Sequence, residues 1–405
     1  MASHDVVVVG GGISGLALAW RAAQDGKRVL VLERSGRVGG CLHSERTADG
    51  FWFELGAHTT YNSYCAFLDV VVGAGVAGLV RERGPARARM GLLSHGDYRW
   101  LTPPRVLLQL NWLEAAVHLP AGLLSSTKGQ TIYSRFSRLL GRGNYDRVLG
   151  PFLSAVPSQR ADGFPLSGPG SLFKKRPRRQ EFIKSFGFAG GLQVVCDAVT
   201  RTPGVTVETG AGVEAVARRA GGFAVTLAGG RTVEAPALAL AVAPDAAAAL
   251  LRAQFGELAS HLASIGTATV ESLGVVLPRA KAWMPECAFL VPVDDLFFSC
   301  VTRDPFPDGE RRAFAFHFRP GLTRAERLGR ALEVLRVTEA DLLHVAERRC
   351  TLPSPALGHG AIVADLDHHL AGGRLMLTGN YFDGLAIEDC VARSFAEWKR
   401  LAAGA

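Results

Sequence analysis

The chain has 405 residues, which predicts two or three domains at about 150 residues per domain. Its hydrophobic fraction of 48% and charged fraction of 20% exclude a disordered, collagen-like or coiled-coil protein. The net charge of +8 permits acidic ligands, nucleic acid or an anionic membrane surface as partners, and it selects none of them.

Cysteine usage and apolar runs bear on where the protein works. The seven cysteines include no Cys-x-x-Cys pair, and their odd number predicts free thiols in a reducing compartment, so a cytoplasmic protein is expected. No apolar run reaches the ~18 uncharged residues that a membrane span needs, and no basic leader precedes the first run. We therefore expect no transmembrane span, while peripheral contact with a membrane stays open.

Residues 5–33 predict a strand, a glycine-rich turn, a helix and a second strand, in that order. Val6–Val9 is a continuous β-branched run, as expected of a strand buried on both faces. The turn, residues 10–15 (GGGISG), contains the spacing Gly-x-Gly-x-x-Gly, and an Ala/Leu-rich helix follows to about Gln24. The second strand, residues 29–32, ends at Glu33.

Each position in this unit has a physical reason. Gly10 is expected to make the tight turn and Gly12 to let the backbone approach a pyrophosphate, while Gly15 lets the helix lie against the strand. The helix N-terminus supplies N–H groups and a positive dipole for phosphates. Glu33 can accept hydrogen bonds from ribose hydroxyls. Together these features predict a dinucleotide-binding unit.

The segments that follow the second strand distinguish the cofactor. Residues 33–40 (ERSGRVGG) resemble the E-x-x-x-R-x-G-G segment of the FAD-dependent amine oxidase superfamily, and residues 54–57 (ELGA) fit its next loop. Like-charge repulsion from Glu33 disfavours a 2′-phosphate, so NADP is not expected. Near the C-terminus a predicted strand at 375–378 leads into Gly379-Asn380 and then a helix. In the resembled flavoproteins this helix N-terminus lies at the pyrimidine end of the flavin.

The resemblance implies FAD bound non-covalently, because the surroundings of Cys350 do not match those of a covalent flavin link. Cofactor contacts are implied at the glycine turn, the second strand and its loop, the flavin-facing loop, an adenine-facing backbone position and the C-terminal turn. These positions are Gly10, Gly11, Gly12, Ile13, Ser14, Gly15, Glu33, Arg34, Arg37, Gly39, Gly40, Cys41, Gly56, Ala57, Val213, Gly379, Asn380, Leu385, Ala386 and Ile387.

Within that superfamily the chain is most similar to protoporphyrinogen and coproporphyrinogen oxidases. The similarity rests on residues 185–193 (SFGFAGGLQ), on Phe289–Pro292 and on the ending from 379 to 390. Two segments depart from the pattern: Pro355 replaces the aromatic of a P-x-Y-x-x-G-H segment, and residues 56–59 read GAHT in place of G-P-N-S/T. Both departures fall on the expected substrate side, so the resemblance informs the cofactor more than the substrate.

The resemblance implies an α/β fold with a discontinuous, Rossmann-like FAD-binding domain, a substrate-binding sheet domain and a helical cap. The expected FAD-binding pieces are residues 1–60, 185–250 and 360–405. Residues 61–184 are expected to form a mostly helical cap, and residues 255–355 the substrate-binding sheet and helices. Apolar spacing predicts helices at 106–118, 132–140, 322–337 and 340–349, and alternation predicts strands at 269–276 and 312–318.

Substrate contacts are expected from two segments. Arg89 lies in a stretch that resembles the porphyrinogen-oxidase strand whose arginine grips a propionate, although neighbouring arginines leave a chance match open. His58 and Thr59 lie on the loop expected beside the flavin. His58, the candidate catalytic residue, can orient substrate or accept a proton, and a hydrogen-bonded structural histidine is the alternative.

Two further segments leave alternatives open. The apolar helix with Trp112 is either a hydrophobic, membrane-dipping surface or, as the simpler interpretation, a packed helix with its aromatic in the core. The basic run at 174–179 (KKRPRR) either steers a carboxylate-bearing substrate or touches anionic lipid, or it is a solvated loop. The histidines show no metal-ligand spacing, so no metal is expected.

These observations predict an FAD-dependent oxidoreductase that dehydrogenates an apolar cyclic substrate by hydride transfer to flavin N5, in the manner of a protoporphyrinogen oxidase. The resemblance implies O2 as the electron acceptor, and no nucleic-acid partner is expected. Three alternatives stay open. They are an amine oxidase or desaturase acting on a specialised metabolite, a non-redox flavin-dependent mutase or isomerase, and a catalytically silent flavoprotein that serves as a binding partner.

Overall fold

The computed structural model describes residues 4–94 and 96–403, whose strands and helices follow in chain order. The strands are β1 (Val6–Val9), β2 (Val29–Glu33), β3 (Ser44–Arg46), β4 (Trp52–Glu54), β5 (Thr60–Tyr61), β6 (Val80–Glu82), β7 (Met90–Ser94), β8 (Asp97–Leu101), β9 (Ser185–Phe188), β10 (Val205–Thr209), β11 (Val213–Arg219), β12 (Gly222–Leu227), β13 (Thr232–Ala235), β14 (Ala237–Leu240), β15 (Thr267–Pro278), β16 (Phe289–Pro292), β17 (Phe297–Thr302), β18 (Arg311–Phe318), β19 (His344–Pro353) and β20 (Leu375–Leu377).

The helices alternate with these strands through the chain. They are α1 (Ile13–Gln24), α2 (Cys65–Gly73), α3 (Pro103–Leu108), α4 (Trp112–Leu124), α5 (Ile132–Leu140), α6 (Arg142–Asn144), α7 (Gly150–Ala155), α8 (Gln193–Val199), α9 (Pro244–Leu251), α10 (Gly256–Ala263), α11 (Arg324–Leu335), α12 (His359–Leu370) and α13 (Ile387–Ala403). Short 3₁₀ turns occur at Ala77–Leu79, Pro85–Ala88, Arg279–Lys281 and Glu339–Asp341, and a π turn at Tyr145–Leu149 joins α6 to α7.

A five-stranded parallel sheet carries the glycine turn, and its strand order is β10-β2-β1-β14-β20. β1 lies in the middle because its four valines, buried on both faces, pair with β2 on one side and β14 on the other. The strand–turn–helix–strand prediction for residues 5–33 is confirmed, and so is the α/β fold class. The sheet draws strands from all three expected FAD-binding pieces, whose outermost residues 1–3 and 404–405 lie outside the described residues.

A seven-stranded sheet forms the second layer, in the order β19-β15-β18-β17-β16-β7-β8. On β18, the side chains of Phe314, Phe316 and Phe318 point to one face of the sheet and pack with α11 in one hydrophobic core. β7 and β8 come from within residues 61–184, so the expectation of a mostly helical segment is wrong for residues 90–101. These strands join the sheet through parallel pairing of β7 with β16, about 200 residues away, a contact that local sequence does not encode.

The helix expected at 340–349 is wrong as well, because residues 344–349 belong to strand β19 and a 3₁₀ turn precedes them. Ten consecutive residue pairs join β19 to β15, and this long ladder overrides a local composition that favours helix. Burial alternates along the strand: Glu347, Arg349 and Thr351 are exposed, while Arg348 and Cys350 between them turn inward.

The helix expected at 106–118 is two helices, α3 and α4, separated at Asn111. The Asn111 side chain accepts hydrogen bonds from the backbone N–H groups of Leu113 and Glu114, both at 3.1 Å, and so begins α4 as an N-cap. Trp112 is 56% exposed, so the interpretation that places it in a packed core is wrong. Within the described part of the chain, none of the helices has the length and apolar character that crossing a bilayer requires.

Helix α4 carries an uncovered apolar stripe, which we call the α4 face and define as Leu113, Val117, Pro120 and Leu124. The spacing of these residues places them on one side of the helix. Leu113, Val117 and Leu124 are 82%, 76% and 90% exposed. The opposite side of α4, with Ala115 and Gly122, is buried. Exposure of so many contiguous apolar side chains usually marks an interaction surface.

Candidate functional site

The turn after β1 brings three backbone segments into contact at the carboxyl ends of the parallel strands. Gly10 has a φ of +105°, and a Cβ there would lie 2.5 Å from the carbonyl oxygen of Ala241 at the end of β14. A Cβ at Gly15 would overlap the carbonyl oxygen of Gly10. Only glycine satisfies both positions, and the N-terminus of α1 is therefore held directly above the strand ends.

Glu33 closes one side of this turn. Its carboxylate accepts a hydrogen bond from the Gly11 backbone N–H at 2.7 Å, and it accepts further bonds from the backbone and hydroxyl of Ser35 at 2.8 and 2.7 Å. The carboxylate is thus fixed at the end of β2, where lone pairs remain for hydroxyl donors of a ligand.

A cavity of about 510 Å³ runs along the strand ends from Glu33 to the start of α13. Eleven of the positions expected to contact a cofactor line it: Gly10, Gly12, Ile13, Ser14, Glu33, Arg34, Gly40, Cys41, Val213, Gly379 and Asn380. We call this space the groove. It is bounded by the N-terminus of α1, whose N–H groups suit a phosphate.

A second cavity of about 260 Å³ meets the groove at Cys41 and Asn380, which line both. We call it the inner cavity. Seven further residues that were expected to contact cofactor or substrate line it: Gly56, Ala57, His58, Thr59, Leu385, Ala386 and Ile387. The two spaces are therefore adjacent parts of one site, and the loop at 56–59 lines its inner part.

Four of the expected cofactor positions line neither space and instead support the turn. Gly11 donates to Glu33, and Gly15 fits α1 against β1. The Gly39 N–H donates to the Gly11 carbonyl at 2.7 Å. The Arg37 guanidinium donates to the carbonyls of Val38 and Gly40 and to the Gln193 side chain.

The inner cavity contains two histidines that the structure keeps neutral. His58 Nδ1 lies 2.9 Å from Thr59 Oγ1, and burial, together with the nearby Arg83 and His317, lowers the pKa of His58 to about 3. His317 Nδ1 lies 2.8 Å from Ser272 Oγ, and burial lowers its pKa to about 4, with Arg348 contributing. Both imidazoles are therefore uncharged at neutral pH and can accept a proton or a hydrogen bond.

Sequence reasoning missed His317, Ser272 and Arg348, which line the inner cavity from three strands of the seven-stranded sheet. One signal was available: β18 alternates phenylalanines with other residues, so His317 had to lie on the face opposite the aromatic core. The pairing of β15 with β18 and β19 then places Ser272 opposite both His317 and Arg348, and that register could not be derived from the sequence.

Arg89 lies away from the site. Its side chain is exposed, its guanidinium lies 5.9 Å from the centre of the Trp100 ring, and it lines neither the groove nor the inner cavity. Arg83, six residues earlier, lies closer, since it lines a small pocket together with His58. Burial lowers the pKa of Arg83.

The basic run at 174–179 holds the start of α13 in place. Asp389 is paired with Lys174 at 3.2 Å and with Arg176 at 2.7 Å, and Lys174 also donates to the Asp383 carbonyl at 2.6 Å. Arg179 pairs with Asp69 at 2.9 Å. Lys174 and Arg176 thus hold the start of α13 and the turn before it, so neither a solvated loop nor a free ligand-steering patch describes these two side chains. Lys175 and Arg178 are exposed. No grouping of acidic, His and Cys side chains suited to a metal ion occurs among the residues that the structure describes.

Comparisons with known proteins agree on one family. The model of the family "Flavin containing amine oxidoreductase" matches residues 13–336. A coproporphyrinogen III oxidase of Propionibacterium freudenreichii is 27% identical, with 96% of this chain and 89% of the relative covered. An all-trans-retinol 13,14-reductase of Danio rerio is 54% identical over 54 residues, 13% of this chain and 9% of the relative.

Solved structures share the fold over nearly the whole chain. The "Putative protoporphyrinogen oxidase" of Exiguobacterium sp. 255-15 has a TM-score of 0.79 at 18% identity, covering 98% of both chains. A fatty acid isomerase of P. acnes that produces CLA has a TM-score of 0.69 at 15% identity, again covering 98% of both chains. At these identities the likeness concerns the fold alone.

The two neutral histidines give the protein a defined response to acid. Because the folded-state pKa values of His58 and His317 lie below the ordinary 6.5, the unfolded chain binds more protons than the folded one from about pH 6.5 down to about pH 3. We expect the free energy of unfolding to decrease as the pH is lowered through this window, and urea denaturation at a series of pH values measures it. His317→Asn, which keeps a partner for Ser272, should flatten the dependence. His118→Asn, at an exposed position, is the control, and an equal effect of both variants would contradict the assignment.

Proposed function

The chain belongs to the family of flavin containing amine oxidoreductases, and from this premise we propose that it is an FAD-dependent enzyme that dehydrogenates an apolar, cyclic substrate. The observation that carries the proposal is the meeting of the groove and the inner cavity at Cys41 and Asn380. A cofactor along the groove would present its reactive end to a substrate in the inner cavity. Bound flavin supplies a two-electron acceptor for the hydride of that substrate.

The chain's own residues fit a non-covalently held FAD. The α1 N-terminus offers N–H groups for the pyrophosphate, and Glu33 is already oriented to accept hydroxyl donors. The turn also leaves space, because within 4 Å a Cβ at Gly12 would meet only the Cα of Gly40, at 3.8 Å.

On the substrate side the inner cavity joins an apolar wall to a few polar groups. Val156, Val270 and Leu352 contribute apolar surface, and His58 and His317 contribute neutral imidazoles that can accept hydrogen bonds from the substrate. A carboxylate on the substrate would meet Arg348, whose guanidinium lines this cavity. We propose this role for Arg348 in preference to Arg89, because Arg89 lies outside the site.

The likeness to coproporphyrinogen III oxidase over 96% of the chain supports a porphyrinogen as the first candidate substrate. Pro355, which departs from the porphyrinogen-oxidase pattern, is buried, lies against Gly170 and does not line the inner cavity, so it does not oppose this candidate.

A second candidate is an amine oxidase or desaturase that acts on a smaller specialised metabolite. One observation favours it: the inner cavity, at about 260 Å³, lies just below the roughly 300–1,000 Å³ typical of sites for drug-sized ligands, and a tetrapyrrole is larger than most such ligands.

The cofactor proposal predicts that filling the turn removes flavin without unfolding the protein. In Gly12→Val the new side chain would occupy the space above the strand ends, so the flavin content of purified protein should fall at least tenfold while far-ultraviolet circular dichroism stays unchanged. Gly36→Val is the matched control, because a Cβ there meets nothing within 4 Å and Gly36 lies outside the groove. Full flavin occupancy in Gly12→Val would contradict the placement of the cofactor.

The substrate proposal predicts loss of the visible flavin absorbance when coproporphyrinogen III or protoporphyrinogen IX is added without oxygen, and porphyrin fluorescence after air is admitted. Arg348→Met should raise KM for the carboxylated substrate at least tenfold, about 1.4 kcal/mol, while Arg89→Met should leave it unchanged.

The other outcomes of this experiment separate the alternatives. Bleaching by amines or polyenes alone would favour the second candidate, and an isomerised product without net oxidation would indicate a mutase. Bleaching by none of these compounds would contradict the enzymatic proposal.

We further propose that the α4 face rests on an anionic membrane surface, which would bring an apolar substrate to the protein. Residues 98–145 contain six Lys and Arg side chains and one acidic residue, Glu114. Arg105, Lys128 and Arg138 are exposed on the elements next to α4. An exposed apolar stripe with basic side chains on neighbouring segments suits an anionic lipid surface.

Sedimentation with vesicles tests this contact. We expect binding to vesicles that contain phosphatidylserine, weaker binding to neutral vesicles, and loss of binding in the double variant Leu113→Gln/Leu124→Gln. Leu343→Gln, at another exposed leucine (56%), should bind normally. A different outcome would contradict the membrane contact. If the protein does not bind vesicles, and the double variant abolishes a concentration-dependent dimer, the α4 face is an interface between copies of the chain.

A further inference from the structure

Two cysteine thiols meet where the groove joins the inner cavity. Cys41 follows the Gly39-Gly40 turn and lines both spaces, and Cys350 lies on β19 and lines the inner cavity. Both are half-buried free thiols, and the two side chains lie close enough for each to shift the pKa of the other. Residues 309 positions apart therefore bring their sulfur atoms together in the lining of the inner cavity.

A fixed cation lies beside this pair. Arg348, two residues before Cys350 on the same face of β19, donates from Nη2 to the Gly40 carbonyl at 2.9 Å. A Cβ at Gly56 would lie 2.5 Å from Arg348 Nη1 and would overlap the Cys41 carbonyl oxygen, so the guanidinium lies alongside the Cys41 loop. A cation in this position stabilises a thiolate.

The two thiols are consequently unequal. The interaction with Cys350 lowers the pKa of Cys41, with Arg348 and Arg37 adding to the effect against the opposing effect of burial. The same interaction, reinforced by burial, raises the pKa of Cys350. Cys41, beside the Arg348 guanidinium, is therefore the sulfur that ionises more readily, and Cys350 is the one that keeps its proton.

The other cysteines lack this arrangement. Cys196, Cys287, Cys300 and Cys390 are buried, and burial raises the pKa of each thiol. Cys65 is half-buried like the pair, and burial raises its pKa too, with Glu388 contributing. Peroxide-sensitive cysteines combine thiolate character, access and an adjacent second thiol, and among the seven cysteines the Cys41–Cys350 pair has all three.

We propose that Cys41 and Cys350 form a peroxide-reactive dithiol, in which Cys41 is the attacking sulfur and Cys350 the resolving one. The Cys41 thiolate attacks one oxygen of hydrogen peroxide, the O–O bond breaks, and the departing hydroxide takes up a proton to leave as water. Cys41 is then a sulfenic acid. The Cys350 sulfur attacks it, the S–O bond breaks, the thiol proton leaves with the hydroxyl as a second water, and a disulfide remains.

The step is a two-electron oxidation of the sulfur pair, matched by reduction of one peroxide to two waters. It would remove the negative charge beside Arg348 and tie the loop after Gly40 to β19. Hydrogen peroxide is what a flavin enzyme releases when O2 accepts its electrons, so the pair lies where such a product would form. The dithiol itself does not depend on that function, because peroxide can be added from outside.

Mass spectrometry of the flavin-loaded protein tests the proposal. The protein is exposed to a small molar excess of hydrogen peroxide, its free thiols are blocked with iodoacetamide, and its peptides are separated without reductant. We expect a linked peptide pair containing Cys41 and Cys350, which dithiothreitol separates. Without peroxide, Cys41 should react with iodoacetamide at least tenfold faster than Cys65 at neutral pH.

Three variants, each checked for retained flavin absorbance, decide between the roles. In Cys350→Ser, Cys41 should accumulate as a sulfenic acid that dimedone traps. In Cys41→Ser, Cys350 should stay alkylatable after peroxide. Cys65→Ser should still form the linked pair. The proposal is overturned if peroxide produces neither the linkage nor a dimedone adduct on Cys41, or if Cys350 is oxidised equally well without Cys41.

Discussion

The contact between the first turn of α1 and the ends of β1 and β14 governs the rest of this structure. Gly10 and Gly15 lack the side chains that would collide with Ala241 and with the Gly10 carbonyl, so α1 can begin directly above the strand ends. That approach creates the groove, brings Gly11 within reach of Glu33 and directs the helix dipole toward any anionic ligand. The same turn also positions the inner cavity, because the hydrogen bond from the Gly39 N–H to the Gly11 carbonyl fixes the loop from Gly39 to Cys41 against it.

The cofactor side of the fold could be predicted from local sequence. About thirty contiguous residues contain a four-valine run, the glycine spacing and a β2 strand that ends in glutamate. Each of these features has a steric or electrostatic reason that holds in any protein. The C-terminal Gly379-Asn380 turn before α13 is local in the same sense. For this reason the predicted elements at 6–33 and 375–403 agree closely with the structure, and most of the expected contacts lie on the groove or the inner cavity.

The substrate side depended on contacts between distant segments and was predicted less well. Residues 340–349 have a helix-forming composition, yet pairing with β15 makes residues 344–349 part of a strand. That strand carries Arg348 and Cys350, so the error in the element also concealed two residues of the inner cavity. Arg89 was chosen from a motif, and the packing of its segment against Trp100 carried it away from the site. Trp112 is exposed because α4 buries small residues, Ala115 and Gly122, against α5 and leaves its bulky ones outward.

The interleaving of both sheets along the chain has a consequence for synthesis. The β1–α1–β2 unit leaves the ribosome first, but β14 reaches its place beside β1 only some two hundred residues later, and β20 and α13 follow at the far end. Helix α13 then covers α1 through the stacking of Phe395 on Trp20 and through hydrogen bonds from Ser394 to the Ser14 carbonyl and from Trp398 to Asp25. Until then the side of α1 that α13 covers, with Trp20, lacks its native partner. The nascent chain therefore exposes part of its apolar core through most of its translation, and such surface is prone to aggregation.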